Sequence, residues 1–136
     1  MGDAIVSVGG LALPGALLEA IGGNRWKPPE NVDLIGEVFG DEPDWPQFYD
    51  VATMTRQNRF FQNMSVEELE ESVPGSHQGL GVDPALAVLI GSLGADMPIV
   101  LDYRPSRNNP RVIYLARDGW REVAPDFGAL CQRLGL

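Results

Sequence analysis

ALAVLIGSLGADMPIVLDYRPSRNNPRVIYLA, residues 85–116, decides the fold class. Three β-prone runs stand in it: AVLIG at 87–91, PIVLDYR at 98–104 and VIYLA at 112–116. The turn-forming SLGADM and PSRNNPR separate them. Successive side chains along a strand alternate between faces. Ile99, Leu101 and Tyr103 therefore point one way and Val100, Asp102 and Arg104 the other, while Val112 and Tyr114 oppose Ile113 and Leu115. The connections are too short for a crossover, so the strands should be antiparallel neighbours.

Downstream, APDFGALCQRLGL (124–136) sets Phe127, Leu130, Cys131 and Leu134 at helical spacing, which predicts a closing helix. Trp120 precedes that stripe and is expected to lie buried between the sheet and this last helix. Upstream the periodicity is helical. One helix begins near Pro14, with Leu17, Leu18 and Ile21 on one side, and stops at Gly22–Gly23. NRWKPPE (24–30) is a linker. NVDLIGEVFG (31–40) is a second helix, turning Leu34, Ile35, Val38 and Phe39 inward. DEPDWPQFYD (41–50) is interrupted by proline and acidic, hence a surface loop. Thr53 is placed to cap a third helix through about Gln62, anchored by Met54 and Phe61. Ser65 and Glu68 have the spacing of a capping box, with Met64 and Leu69 as its hydrophobic staple, and open a fourth helix that ends at Pro74–Gly75. The opening MGDAIVSVGG alternates weakly, as a short extended segment or a frayed end. Helices, then a meander, then a closing helix make an α+β fold in one domain, 1–136. A chain of 136 residues should bury about two-thirds of its unfolded surface.

The net charge of −9 is unevenly spread. Residues 28–100 carry thirteen acids against Arg56 and Arg59, whereas residues 101–136 carry six arginines against four acids. An acidic middle repels phosphates, so nucleic acid is a poor partner, none is expected, and a protein with a basic surface is favoured. No apolar run approaches the roughly 20 residues that span a bilayer. The N-terminus has no base before Arg25, unlike a secretory signal, and Val6 breaks the acylation pattern after Gly2. A cytoplasmic protein without membrane contact is the expectation.

Catalytic chemistry finds little support. His77 is the one histidine and sits in a Gly/Ser loop with no acid within four residues. Cys131, the one cysteine, belongs to the helical stripe and reads as a core thiol. The glycines of GSLGADM and HQGLGVD lack phosphate-loop spacing, and the Asp41, Glu42, Asp44 cluster lacks the ligand order of a calcium loop. No catalytic residue, metal or cofactor is expected. One feature stands apart: Trp45, between Pro43–Asp44 and Pro46 in the acidic loop, either anchors a partner inside a charged rim or folds back over the core. Asp41, Glu42, Asp44 and Asp50 have no base between Lys27 and Arg56 to neutralise them. With Trp45 and with Glu67, Glu70 and Glu71 of the fourth helix they are the expected protein-binding face. Glu68 shares that helix but is assigned to the capping box.

The C-terminal half, LIGSLGADMPIVLDYRPSRNNPRVIYLARDGWREVAPDFGALCQRLGL, resembles the SUKH superfamily, the domain of fungal cell-wall assembly regulators and bacterial immunity proteins. The resemblance lies in Pro98 opening a strand that ends Leu101–Asp102–Tyr103–Arg104, a second strand, Trp120, and Val123, Ala124, Asp126 and Phe127 entering the last helix. Leu13–Pro14, Arg25–Trp26 and VFGDEP at 38–43 extend it to nearly the whole chain, with a shorter N-terminus than in longer members. The resemblance implies helices packed on a twisted antiparallel sheet and protein binding without catalysis. It also implies a bacterial antidote that neutralises a cognate toxin. The alternatives are a regulatory scaffold without a toxin partner and, last, a hydrolase around His77. Nine arginines against one lysine fit a high-GC bacterial genome.

Overall fold

Gly9 and Gly10 turn the chain between β1 (Ser7–Val8) and β2 (Leu11–Ala12), an antiparallel ribbon, in the computed structural model, which describes residues 6–136. The weakly alternating opening is thus a hairpin where it is described; the rest of that stretch, 1–5, lies outside the described residues. Pro14 leads into α1 (Gly15–Gly22), which buries Leu17 and Ala20. Asn31 caps α2 (Val32–Phe39) through the Asp33 amide, and Gly40, at φ 82°, ends it in the left-handed conformation that glycine adopts without steric cost.

The acidic loop is not entirely a loop. Gln47–Phe48 form β3, an edge strand too short to show in a sequence broken by Pro43 and Pro46. It is followed by α3 (Val51–Phe61). The cap of α3 is Asp50, not Thr53: the Asp50 carboxylate accepts from the Thr53 amide at 2.8 Å. The two side chains are three residues apart, and the carboxylate is the one that lies outside the helix. The reciprocal capping box is present at α4 (Val66–Ser72), where the Glu68 amide donates to Ser65 Oγ (3.1 Å) and the Ser65 amide to Glu68 Oε1 (3.2 Å). Ser65→Ala should cost about 1 kcal/mol, read as a lower urea midpoint with faster amide exchange confined to α4.

A 3-10 turn, Pro84–Leu86, delivers the chain to β4 (Ala87–Ser92), followed by β5 (Pro98–Asp102), β6 (Arg111–Ala116) and β7 (Gly119–Ala124). With β3 they form a five-stranded antiparallel sheet in the order β3-β4-β5-β6-β7, and α5 (Phe127–Leu134), capped by Asp126, closes the chain. The fold is α+β, with helices before the meander and one after it. The expected alternation holds. Val88, Ile90, Ile99, Leu101, Tyr103, Val112 and Tyr114 form one face and pack on α1, α2 and α5 through Leu17, Ile35, Phe39, Phe127, Leu130 and Leu134. Ala87, Val100, Ile113 and Leu115 form the other and meet Phe61 and Leu69. Trp26, in the segment expected as a linker, stacks on Phe48 at 4.1 Å and meets Phe127 edge-on at 5.0 Å. Cys131 is only half-buried on the flank of the α5 stripe, and that burial pushes its thiol pKa up.

Trp120 corrects an expectation. It is 2% exposed, yet it lies inside β7 rather than after the last strand, and on the face away from α5. Register is the reason: Trp120 stands opposite Leu115, so the two share a face, while α5 packs on the Val112–Tyr114 face. The chain at 78–80 runs along the outside of Trp120, whose amide donates to the Gln78 carbonyl (3.0 Å) and whose carbonyl accepts from the Leu80 amide (2.9 Å). Only glycine fits at Gly79, where a Cβ would lie 2.4 Å from the Trp120 carbonyl oxygen.

Two polar devices complete the sheet. β3 covers β4 only at Gly91 and Ser92. Farther along, Asn58 of α3, fully buried, donates to the Leu89 carbonyl (2.9 Å) and accepts from its amide (2.7 Å), while Gln62 donates to the Ala87 carbonyl (2.9 Å). The second device is Asp102, also fully buried at the end of β5. Its oxygens accept from Arg104 Nε (2.9 Å) and Nη2 (3.1 Å), the Arg104 amide (3.1 Å) and Arg111 Nε (2.8 Å). Arg104 also donates to the Leu80 and Gly81 carbonyls, which pins the 78–81 segment to the β5–β6 hairpin.

Candidate functional site

The two faces of the sheet are unequally covered. Three helices lie on one face, whereas the other has α4, seven residues or about 10 Å long, and the end of α3. Leu89 of β4 and Pro98 of β5 consequently remain half-buried. Over them runs a groove of about 360 Å³ lined by Trp45, Tyr49, Val73 and Met97. Past Val73, Leu89 and Pro98 it continues into a pocket of about 160 Å³ walled by Phe60, Phe61, Met64, Leu69 and Trp120. Trp45 stands at one end, 71% exposed, and Phe60 at the other, 67% exposed; they are the two most exposed large hydrophobic residues among those described. Of the two placements open for Trp45, the exposed one is observed. The two exposed aromatics thus flank a channel whose lining is mostly apolar.

The expected binding residues fall into two groups. Glu42, Asp44, Glu67 and Glu71 are exposed with free carboxylates, in the sense that no hydrogen bond or ion pair engages them among the described residues. Asp44 borders the groove, its Cβ 3.0 Å from where a Cβ on Gly94 would stand. The other three do structural work. Asp41 accepts from the buried Tyr114 hydroxyl at 2.7 Å; burial first, and Asp41 second, push that phenol's pKa up. Asp50 caps α3, and the Thr53 hydrogen bonds hold its carboxyl below the usual range. Glu70 accepts from the Gly75 amide (2.8 Å), the His77 amide (3.1 Å) and His77 Nδ1 (2.7 Å). The Gly75 hydrogen bond, and after it His77, hold the Glu70 carboxyl low against a partial desolvation that raises it.

The loop and the end of α4 do meet. Val73 lines the groove with Trp45, and Pro74 lines an adjoining cleft of about 760 Å³ with Asp41, Glu42 and Asp96. Arg117 also lines that cleft, so the face is not uniformly acidic. Glu67, at the start of α4, lies most of a helix length from this junction.

His77 has a carboxylate partner in Glu70, brought from seven residues away, but its side chain is 59% exposed and neither residue lines the groove, the pocket or the cleft. Among the described residues no three His, Cys, Asp or Glu side chains converge in a metal-binding group, and no helix is long and apolar enough to cross a membrane.

Sequence reasoning singled out Trp45 and missed Phe60, Val73, Leu89, Met97 and Pro98. A signal for Phe60 was present: adjacent residues on a helix point about 100° apart, so Phe60 and Phe61 do not both face the core. Comparisons with known protein families, with curated proteins and with solved structures found no match to this chain.

Proposed function

We propose that this chain is a non-catalytic protein-binding domain that receives a partner with a basic surface along the groove from Trp45 to Phe60. The observation that carries the reading is the uncovered second face: an apolar channel with an exposed aromatic at each end. The charge of the surrounding segment supports the choice of partner, since residues 28–100 carry a net −11 and would steer a cationic protein toward the groove. The SUKH-like pattern of the sequence extends the proposal to a bacterial immunity protein whose partner is a toxin.

The test is affinity capture from the source cell on immobilised protein, followed by kinetics with the captured partner. Trp45→Ala should leave stability within about 0.5 kcal/mol, because the side chain is exposed, and should weaken capture at least tenfold through the dissociation rate, as loss of an interface anchor does. Glu42→Lys with Asp44→Lys should slow association several-fold at low salt, and the difference should vanish near 1 M salt, where the Debye length is about 3 Å. Asp41 is spared in this design because it holds Tyr114. An association rate unmoved by both charge reversals, with capture unmoved by Trp45→Ala, overturns the proposal. The immunity form requires in addition that the partner be toxic when expressed alone.

A further inference from the structure

Resting on the protein-binding proposal, we infer that the 160 Å³ pocket between α3, α4 and the β4–β5 face is the seat of one aromatic side chain of the partner, Phe in size, with basic residues beside it. Size is the first argument: the space matches the roughly 150 Å³ of an apolar cavity that takes up benzene. Chemistry is the second. Apart from the Trp120 indole N–H, Gln57 is the one polar side chain in the lining, so the walls offer little for water to bond to. The walls are the rings of Phe60, Phe61 and Trp120 and the thioether of Met64, surfaces that favour an entering ring over an aliphatic chain through ring–ring and sulfur–ring contacts. Phe60, the exposed ring among the three, stands out at 67% exposure and is not folded into the space.

Charge supplies the third argument. The pocket opens, past Val73, Leu89 and Pro98, into the Trp45 groove. A peptide leaving the pocket that way passes the exposed Asp96, which lines the groove, and Asp44, which borders it. Arginine or lysine beside the aromatic residue would meet those carboxylates.

The test uses defined probes on the intact chain: benzene, and the blocked peptides Arg-Arg-Phe-Arg-Arg, Arg-Arg-Ala-Arg-Arg and Glu-Glu-Phe-Glu-Glu, followed by NMR. Benzene should shift the methyl resonances of Met64, Leu69, Val73 and Leu89 and the indole signal of Trp120. The basic Phe peptide should bind at least tenfold more tightly than its Ala counterpart, the usual worth of burying one large apolar side chain, and the acidic Phe peptide should not bind measurably. Val73→Phe, placed to fill the pocket, should abolish the benzene shifts and the Phe preference; Leu89→Phe serves if the first variant fails to fold. Benzene leaving those resonances unmoved, or equal affinity for the Phe and Ala peptides, overturns the inference even if a protein partner is captured through Trp45. A filled pocket together with capture indifferent to Trp45 and to the charge reversals would instead defeat the protein-binding proposal.

Discussion

Trp120→Ala is expected to destabilise the protein by about 3–5 kcal/mol, the usual cost of truncating a buried large aromatic. Against a total stability of roughly 5–15 kcal/mol that removes at least a fifth of what holds the protein folded. The ring is 2% exposed and packs with Phe61, Leu69, Val82, Ile113 and Leu115, so the void would open on the α4 side of the sheet. Thermal unfolding should fall by about 10–20 °C for a chain of this size. Amide exchange should accelerate first in α4 and the segment 76–81, with α5 retained longest. Trp120→Phe should cost much less. The indole Nε1 is buried with no acceptor among the described residues, and a phenyl ring dispenses with that unsatisfied donor while filling most of the space. Melting within a few degrees of wild type for the alanine variant would show that the ring does not hold this face together.

The second large effect belongs to Asp102→Ala, expected to cost about 3 kcal/mol at neutral pH. Breaking a buried ion pair commonly costs 3–5 kcal/mol. The lower end applies because the guanidinium groups left behind, 30% exposed for Arg104 and 23% for Arg111, recover water. Burial acts to raise the Asp102 pKa, but the hydrogen bonds from Arg104, then Arg111, outweigh it and hold the carboxyl below its usual range. A depressed carboxylate pKa stabilises the fold fully above the unfolded value of about 3.9, and that contribution is lost as pH falls through the lower folded value. Urea unfolding of wild type and variant should therefore differ by the full amount from pH 7 down to about pH 5 and converge below about pH 4. A gap that persists undiminished in acid would mean that packing, not charge, makes the residue matter.

How far the sequence could be read depended on where each residue's partners lie. β5 and β6 were legible because both faces of the sheet are buried, and Ile99, Leu101 and Tyr103 could be sorted from Val100 by parity alone. The capping box at Ser65 and the stop at Gly40 were legible because their chemistry is local, within three or four residues. β7 was not. Its centre is Arg121–Glu122, exposed on the last strand of the sheet, and an extra residue at Val123 breaks the alternation. β3 carried no signal because two residues directly after a proline have no period at all. Of the site, Trp45 stood out through its neighbours while its placement stayed open, and the internal hydrogen bonds of Asp41 and Glu70 could not be read at all. Their partners, Tyr114 and His77, are chosen by the fold and leave no trace near them in the chain. The groove itself was invisible, because it arises from the shortness of α4 relative to the sheet.

Asn58 and Gln62, which occupy the flank of β4 where β3 falls short, have a bearing on how the molecule survives its own synthesis. An open strand edge is a template on which a second chain can add and begin to polymerise. Here the side-chain amides that occupy Leu89 and Ala87 come from a helix roughly thirty residues earlier in the chain, so they leave the ribosome before the strand they shield. On that flank β4 never has to wait for its cover to be made during N-to-C-terminal emergence. The segment that follows it, β5, protects the opposite edge as soon as it is translated. A nascent chain arranged in this order has little opportunity to pair with its neighbours on a polysome.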